Sequence, residues 1–210
     1  MNTTTSHHLN PNAIGLCTLG RVLAQKNWLP ATGGNLSVRS GEHSCLISRS
    51  GKDKGELSPQ DLLAVNWANG DLQCAGKPSA ETALHVALYQ LFGSCKAVLH
   101  THSVQATVFS QLIDADSYRF TGYEMQKAIE GMQSHEQTLP LAVFANTQLI
   151  PQLAAEVKAR QSALNYGFLV RGHGLYVWGD SLEQARRHAE AWEFLIACEL
   201  ERLKIVGLQN

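Results

Sequence analysis

The sequence lacks the marks of a membrane protein or a nucleic-acid-binding protein. No apolar run approaches the roughly 20 residues that a helix needs to cross a bilayer. The first residues, 1–8, have neither the basic nor the apolar region of a signal peptide. The net charge over 210 residues is only −1, which gives no reason to expect nucleic acid or an anionic membrane as a partner. We therefore expect a cytoplasmic protein that binds neither.

Paired cysteines and internal repeats are also missing. No Cys-x-x-Cys spacing occurs among the five cysteines, which are Cys17, Cys45, Cys74, Cys95 and Cys198. We interpret these as reduced thiols, mostly in the core, rather than as disulfides or metal ligands. Because no linker or low-complexity tract divides the chain, its length predicts one domain over residues 13–210, after a flexible tail at residues 1–12.

Apolar periodicity predicts an alternation of helices and hairpins. Helical spacing favours helices at 13–26, 78–92, 104–112, 147–161 and 182–205. Strand-like runs occur at 31–39, 45–48, 63–66, 97–102, 141–144 and 168–178. This irregular alternation predicts a single-domain α/β fold, in which helices flank a central, mostly antiparallel sheet.

Two histidines separated by one residue end the apolar run at 97–102. On a strand, side chains two apart point to the same face, so His100 and His102 would stand together. The alternative is that both rings are merely capped by carbonyl groups or water. A third candidate, His173, lies between two glycines where two apolar runs meet. Three histidines with an open fourth position are typical of a catalytic zinc site.

Three turns combine glycine with small polar side chains. The residues concerned are Gly34, Asn35, Ser50, Gly51 and Ser79. Backbone N–H groups at such turns form concave anion sites, and a helix that opens near Ser79 would direct its dipole at a phosphate. Each turn by itself is more often an ordinary turn. Together, in a chain with three candidate metal ligands, they predict a phosphate pocket.

Two carboxylates are candidates for acid and base chemistry. Glu81 lies in the first turn of the predicted helix after Ser79, and Glu124 lies in a loop. A carboxylate near a metal can take a proton from carbon and give one to a leaving oxygen. The alternatives are a helix-dipole partner for Glu81 and a solvated loop carboxylate for Glu124. Spacing alone does not rank the two.

These motifs resemble the class II aldolase/adducin family over nearly the whole chain from about Ile14 onward. The resemblance is carried by Gly34-Asn35-Leu36-Ser37, Ser50-Gly51, Pro78-Ser79-Ala80-Glu81, His100-Thr101-His102-Ser103 and Arg171-Gly172-His173-Gly174. It implies the class II aldolase-like fold and one Zn²⁺ per subunit, held by His100, His102 and His173. It also implies a phosphorylated ketose as substrate, with its phosphate around the five turn residues, and a homotetramer with sites near subunit boundaries.

Within that family the likeness is greatest to sugar-phosphate dehydratases, through Tyr123-Glu124-Met125 with Lys127-Ala128-Ile129, and through the segment 169–179. In such dehydratases the position of Glu124 is the acid/base, whereas in the aldolases that role belongs to the position of Glu81. This chain has both, although Ala80 replaces the second serine of the aldolase Ser-Ser-Glu pattern. Three interpretations remain: a zinc-dependent dehydratase, an aldolase or 4-epimerase of the fuculose or ribulose phosphate type, and a non-catalytic adducin-like binding module.

Overall fold

The computed structural model describes residues 10–207. Its helices are α1 (Pro11–Gln25), α2 (Thr82–Leu91), α3 (Val104–Leu112), α4 (Ile150–Ala159) and α5 (Leu182–Gly207). Its strands are β1 (Asn35–Gly41), β2 (Ser44–Ser48), β3 (Leu62–Asn66), β4 (Gln73–Cys74), β5 (Ala97–Thr101), β6 (Ser117–Phe120), β7 (Leu139–Phe144), β8 (Gly167–Val170) and β9 (Gly174–Gly179). Short 3₁₀ segments lie at Pro30–Thr32, Lys54–Glu56, Pro59–Asp61, Glu124–Ala128 and Gln161–Ala163.

The strands form one nine-stranded sheet in the order β4-β3-β2-β1-β5-β9-β8-β7-β6. Neighbouring strands are antiparallel except β7 and β8, which are parallel. Apolar side chains cover both faces: α1, α3 and α5 pack on one, and α2 and α4 on the other. The predicted fold, a single α/β domain with a mostly antiparallel sheet flanked by helices, is confirmed.

Helix α1 begins earlier than its periodicity predicts. Asn10 caps it by accepting a hydrogen bond from the backbone N–H of Asn12 at 2.9 Å, and Pro11 supplies the first helical residue. Residues 11 and 12, which the sequence assigned to the tail, therefore lie in the helix, and Asn10 caps it. The rest of that tail, residues 1–9, lies outside the described residues.

The helix predicted from residue 78 begins only at Thr82. Before it, Pro78 forms a β-bridge with Arg49, and Ser79 accepts a hydrogen bond from the backbone N–H of Thr82 at 3.2 Å. Glu81 thus stands at the N-cap position instead of in the first turn. Its side chain makes no capping bond, so it is available to face another part of the molecule.

Strand β5 lies at the centre of the sheet and is buried throughout. Its His100 pairs with Asn35 of β1 and Tyr176 of β9. The strand ends one residue before His102, whose backbone N–H donates to the carbonyl oxygen of Trp28 at 2.8 Å. On β9, a Cβ atom at Gly174 would collide with the backbone carbonyl of β5, so glycine is needed where the two strands meet.

Other details of the sequence prediction are also settled by the fold. All five cysteines are free, as interpreted from their spacing. The short strands β4 and β6 and the parallel pairing of β7 and β8 were not predicted from the sequence. Among the described helices, none combines the length and apolar character needed to cross a bilayer.

Candidate active site

Three histidines converge where β5 ends and the chain turns between β8 and β9. The Nε2 atom of His100 lies 2.8 Å from that of His102 and 3.3 Å from that of His173. One ligand atom from each residue lies within 4.8 Å of the others. Ligands of a tetrahedral zinc ion, each about 2.1 Å from it, are about 3.4 Å apart. The cluster therefore has the dimensions of a site for one small divalent cation.

The environment of His100 and His102 favours neutral imidazole, which is the form that binds metals. The Nδ1 atom of His100 lies 3.1 Å from the carbonyl oxygen of Leu175, so Nδ1 carries the hydrogen and the lone pair of Nε2 faces the cluster. Burial, together with His102 and His173, lowers the pKa of His100 well below its usual value. Burial, His173 and Lys54 lower the pKa of His102 to about 4.

Glu81 lies on the open side of the histidine cluster. Its Oε1 is 3.4 Å from Nε2 of His173, and its Oε2 is 3.5 Å from Nε2 of His100. These separations match those expected between ligands of one tetrahedral ion. The side-chain amide of Asn35 donates to Oε2 at 2.5 Å. Glu81 can therefore serve as a fourth ligand or as a base for a molecule bound beside the histidines.

A cavity of about 240 Å³ opens beside Glu81 and His173. The predicted phosphate-binding residues all line it, namely Gly34, Asn35, Ser50, Gly51 and Ser79. The bridge between Arg49 and Pro78 and a hydrogen bond of 3.3 Å from the backbone N–H of Ser50 to the carbonyl of Lys77 join two of the turns. The structure thus brings the three predicted turns, Glu81 and one candidate metal ligand to a single pocket.

Two cationic residues of this pocket were missed in the sequence, namely Arg49 and Lys54. Lys54 is almost fully buried, and its ammonium group donates to the backbone carbonyl of Thr32. Burial lowers its pKa, while Asp53 and Glu81 act in the opposite direction. A buried lysine is unusual without an anionic partner, but its position in a polar turn gave no sign of burial. Both cations suit a phosphate.

Glu124 lies apart from these residues within one chain. It begins a 3₁₀ segment on the surface, and 71% of its side chain is exposed. Its carboxylate contacts Lys127 at 2.5 Å and His135 at 3.6 Å, and the hydrogen bond from Lys127 lowers its pKa. It is not among the residues that line the pocket. The structure therefore brings Glu81, but not Glu124, to the histidine cluster of its own chain.

A buried carboxylate on α5, Glu193, supports the histidine cluster from the other face of the sheet. The hydroxyl groups of Thr101 and Ser103 donate to its two oxygens at 3.2 and 2.7 Å. These two residues flank His102 in the sequence, so the contact fixes the backbone that carries that ring. Sequence periodicity placed the α5 stripe toward the sheet, but it gave no sign that a carboxylate belonged to the buried face.

Replacing Glu193 with Gln is expected to remove a contribution to stability that wild type loses as pH rises. Burial raises the pKa of Glu193 from its ordinary 4.5 to about 7. Between these values folded Glu193 holds a proton that the unfolded chain has released, so the contribution of this residue to stability falls as pH rises. The Gln variant has no such proton to lose. Relative to wild type, its free energy of unfolding should gain roughly 3 kcal/mol between pH 4.5 and 8.

Urea unfolding of the metal-free proteins at several pH values measures this difference, and any constant effect of the substitution cancels. Glu190→Gln is the matched control, because Glu190 lies on the same helix but is half-exposed. Parallel stability curves for Glu193→Gln and wild type would show that Glu193 does not take up a proton on folding.

Comparison with known proteins identifies relatives over most of the chain. Residues 15–200 match the family model described as Class II Aldolase and Adducin N-terminal domain. The methylthioribulose-1-phosphate dehydratase of Yersinia enterocolitica serotype O:8 / biotype 1B is 50% identical over 182 residues, which are 86% of this chain and 87% of that protein. The protein of the same name from Serratia proteamaculans is 49% identical over 86% of this chain and 89% of its own.

Solved structures share the fold. YgbL from Escherichia coli aligns with a TM-score of 0.74 and 26% identity, over 89% of this chain and 86% of its own. L-fuculose-1-phosphate aldolase from Thermus thermophilus aligns with a TM-score of 0.75 and 23% identity, over 92% and 96% of the two chains. The family match spans both ends of the sheet and every residue of the histidine cluster and its pocket. The chain therefore belongs to the class II aldolase and adducin family.

Proposed function

We propose that this chain is a zinc-dependent dehydratase that converts 5-methylthioribulose 1-phosphate into 2,3-diketo-5-methylthiopentyl 1-phosphate in methionine salvage, as a cytoplasmic homotetramer. The observation that supports this most directly is a three-histidine cluster that opens onto a polar, cationic pocket. That site occurs in a chain 50% identical to proteins named methylthioribulose-1-phosphate dehydratase. The same cluster argues against a non-catalytic binding module, which needs no three convergent imidazoles beside a cationic pocket.

His100, His102 and His173 would hold the metal. Three imidazoles form a donor set typical of catalytic zinc, and the hydrogen bond at Nδ1 of His100 gives that ring the outer contact that such ligands usually have. Bound Zn²⁺ supplies a Lewis acid that polarises the ketone and so acidifies the neighbouring C–H group. Glu81 is held beside these nitrogens, where it can face both the metal and the substrate.

The five turn residues would bind the phosphate, with Lys54 and Arg49 supplying positive charge. Only one of the two N–H hydrogens of the Asn35 amide is needed for Glu81, so the other remains available to a ligand. In this substrate the phosphate is on the carbon next to the ketone. Anchoring the phosphate among the turns therefore brings the carbonyl group close to His173 and Glu81, which line the same cavity.

The reaction needs one group to take the proton from C3 and to help the C4 hydroxyl group leave as water. We propose that Glu124 performs this acid/base role, as the resemblance to dehydratases implies, with Glu81 as the alternative. Since Glu124 lies outside the pocket of its own chain, it would act from a neighbouring subunit. Its exposure to solvent leaves it free to do so.

Apolar exposure beside the site supports an assembly. Helix α3 begins two residues after His102 and carries three exposed apolar side chains at a spacing of four, Val104, Val108 and Leu112. Residues at this spacing share one helix face. A continuous apolar face of this kind is typical of a protein interface. A second subunit that packs on this face of α3 would lie next to the histidine cluster.

An assay of the purified protein tests the proposed function. With added zinc, methylthioribulose 1-phosphate should yield the absorbance of a diketone, and chelation of the metal should abolish it. Fuculose and ribulose phosphates are the comparison substrates, because an aldolase would instead release an aldehyde from them, and a 4-epimerase would invert one carbon. Aldehyde release or epimerisation without diketone formation would contradict the dehydratase. A purified protein that binds no zinc would support the adducin-like module.

A further inference from the structure

A chain of buried side chains leads from Glu81 into the interior, away from the pocket. Asn35 donates to Glu81 at 2.5 Å, and its amide oxygen makes a short hydrogen bond with Nε2 of His85. The Nδ1 atom of His85 lies 2.7 Å from the hydroxyl of Ser37, which lies 2.7 Å from that of Tyr89. Asn35, Ser37, His85 and Tyr89 are each at most 3% exposed.

Strand and helix geometry explain this alignment. Asn35 and Ser37 are two apart on β1, so their side chains share one face of the sheet. His85 and Tyr89 are four apart on α2, so they share the helix face that packs on that strand. Glu81 stands four residues before His85, just before the same helix. One strand and one helix therefore place all five groups in a single line.

The Asn35 amide presents its N–H to Glu81 and its oxygen to His85. With these two contacts set, each further hydrogen bond in the line has only one possible direction. Nε2 of His85 must then carry a hydrogen. Burial lowers the pKa of His85 to about 3, so the ring has a single proton and Nδ1 accepts from Ser37. The Ser37 oxygen in turn accepts from the hydroxyl of Tyr89.

We propose that His85 is a positioning residue, which with Ser37 and Tyr89 fixes the Asn35 amide in the one orientation that donates to Glu81. The amide holds Oε2 of Glu81, and Oε1 is left facing His173 at the pocket. The inference rests on the proposed function only in taking Glu81 as a participant in the reaction. In the other tautomer of His85, Nε2 has a lone pair and faces the amide oxygen of Asn35, which is also an acceptor. The Asn35 amide would then no longer be held in this orientation.

Two substitutions separate this role from simple packing. In His85→Gln, the amide nitrogen can reach the place of Nε2 and donate to Asn35. In His85→Asn, the shorter side chain ends near the place of Nδ1, so its amide nitrogen cannot reach Asn35. Both substitutions replace a buried ring by a buried carboxamide. If the role of His85 were purely structural, both variants should therefore lose similar fractions of kcat.

We expect His85→Asn to lower kcat by about 10–100-fold, as is typical when an outer partner of a site is lost. KM should change less than kcat, because only one of the five proposed phosphate-binding residues, Asn35, is hydrogen-bonded to His85. His85→Gln should retain most of the wild-type kcat. Rates are compared per zinc-loaded subunit, with the thermal midpoint of each variant recorded. Equal kcat in wild type and both variants, or equal losses in Asn and Gln variants, would overturn the proposal.

NMR of the full-length protein, labelled with ¹⁵N at histidine, tests the tautomer without any assay of turnover. The His85 signals are those missing from His85→Asn. We expect hydrogen on Nε2 and a lone pair on Nδ1, unchanged on either side of the ordinary histidine pKa of about 6.5. The opposite tautomer, or titration in this range, would refute the proposal. If wild type formed no diketone, the proposed function would fail while this measurement still decided the role of His85.

Discussion

Glu124→Gln is expected to lose turnover by about 10²–10⁴-fold, the usual contribution of a general acid or base, while zinc content and substrate affinity stay close to wild type. Gln has the shape of Glu but can neither take nor give the proton. Because 71% of the Glu124 side chain is exposed, the fold should not suffer. The measurements are diketone formation, zinc content by elemental analysis and substrate binding by calorimetry.

Two further variants control this result. Glu130→Gln is matched to it, since Glu130 is also an exposed carboxylate near the same loop, in an ion pair with Arg187 at 3.1 Å, and it should keep wild-type turnover. Glu81→Gln tests the alternative, because it removes the carboxylate beside the histidines. Near-normal turnover in Glu124→Gln with none in Glu81→Gln would assign the acid/base role to Glu81.

If both carboxylate variants are inactive, mixing them shows whether they act across a subunit boundary. In co-expressed oligomers, a site that takes Glu81 from one subunit and Glu124 from another has both intact in about a quarter of random combinations. Activity should then return in the mixture, although each variant alone has none. A site built within one chain would always lack either Glu81 or Glu124, so the mixture would stay inactive. An inactive mixture of co-assembled subunits would therefore contradict the shared site.

His173→Ala is expected to lose both bound zinc and activity. His173 supplies one of the three convergent nitrogens. Loss of a residue that only hydrogen-bonds to a metal ligand weakens zinc binding by about 10–100-fold, so loss of the ligand His173 itself should weaken it more. A quarter of its side chain is exposed, and it lies in a turn, so the metal-free fold should survive. Zinc should raise the unfolding midpoint of wild type but not of the variant, since only wild type binds it when folded.

Zinc content after dialysis and thermal unfolding with and without zinc measure this effect. His43→Ala is the matched control, because His43 is a surface histidine half-exposed in a turn, and it should retain the metal. One zinc per subunit in His173→Ala would show that His173 is not a ligand. Retained activity in the metal-free variant would contradict metal-dependent chemistry.

Local pattern in the sequence was sufficient to predict the architecture and the ligand candidates. Period-2 and period-3.6 patterns report which side of an element is buried, and glycine and proline report turns, so most helices and strands follow from neighbouring residues. The same local logic paired His100 with His102 and marked His173 by its two glycines. It also singled out Glu81, although it placed that residue inside the helix and not before it.

The tertiary structure alone decided which of these groups meet. His100 and His173 are 73 residues apart, and they converge only because β5 pairs in one register with both β1 and β9. The burial of Lys54 and Glu193, the line from His85 to Glu81 and the separation of Glu124 from its own pocket depend on the same long-range packing. Periodicity reports that a side chain is buried, but not what it is buried against, because that partner comes from a distant part of the chain.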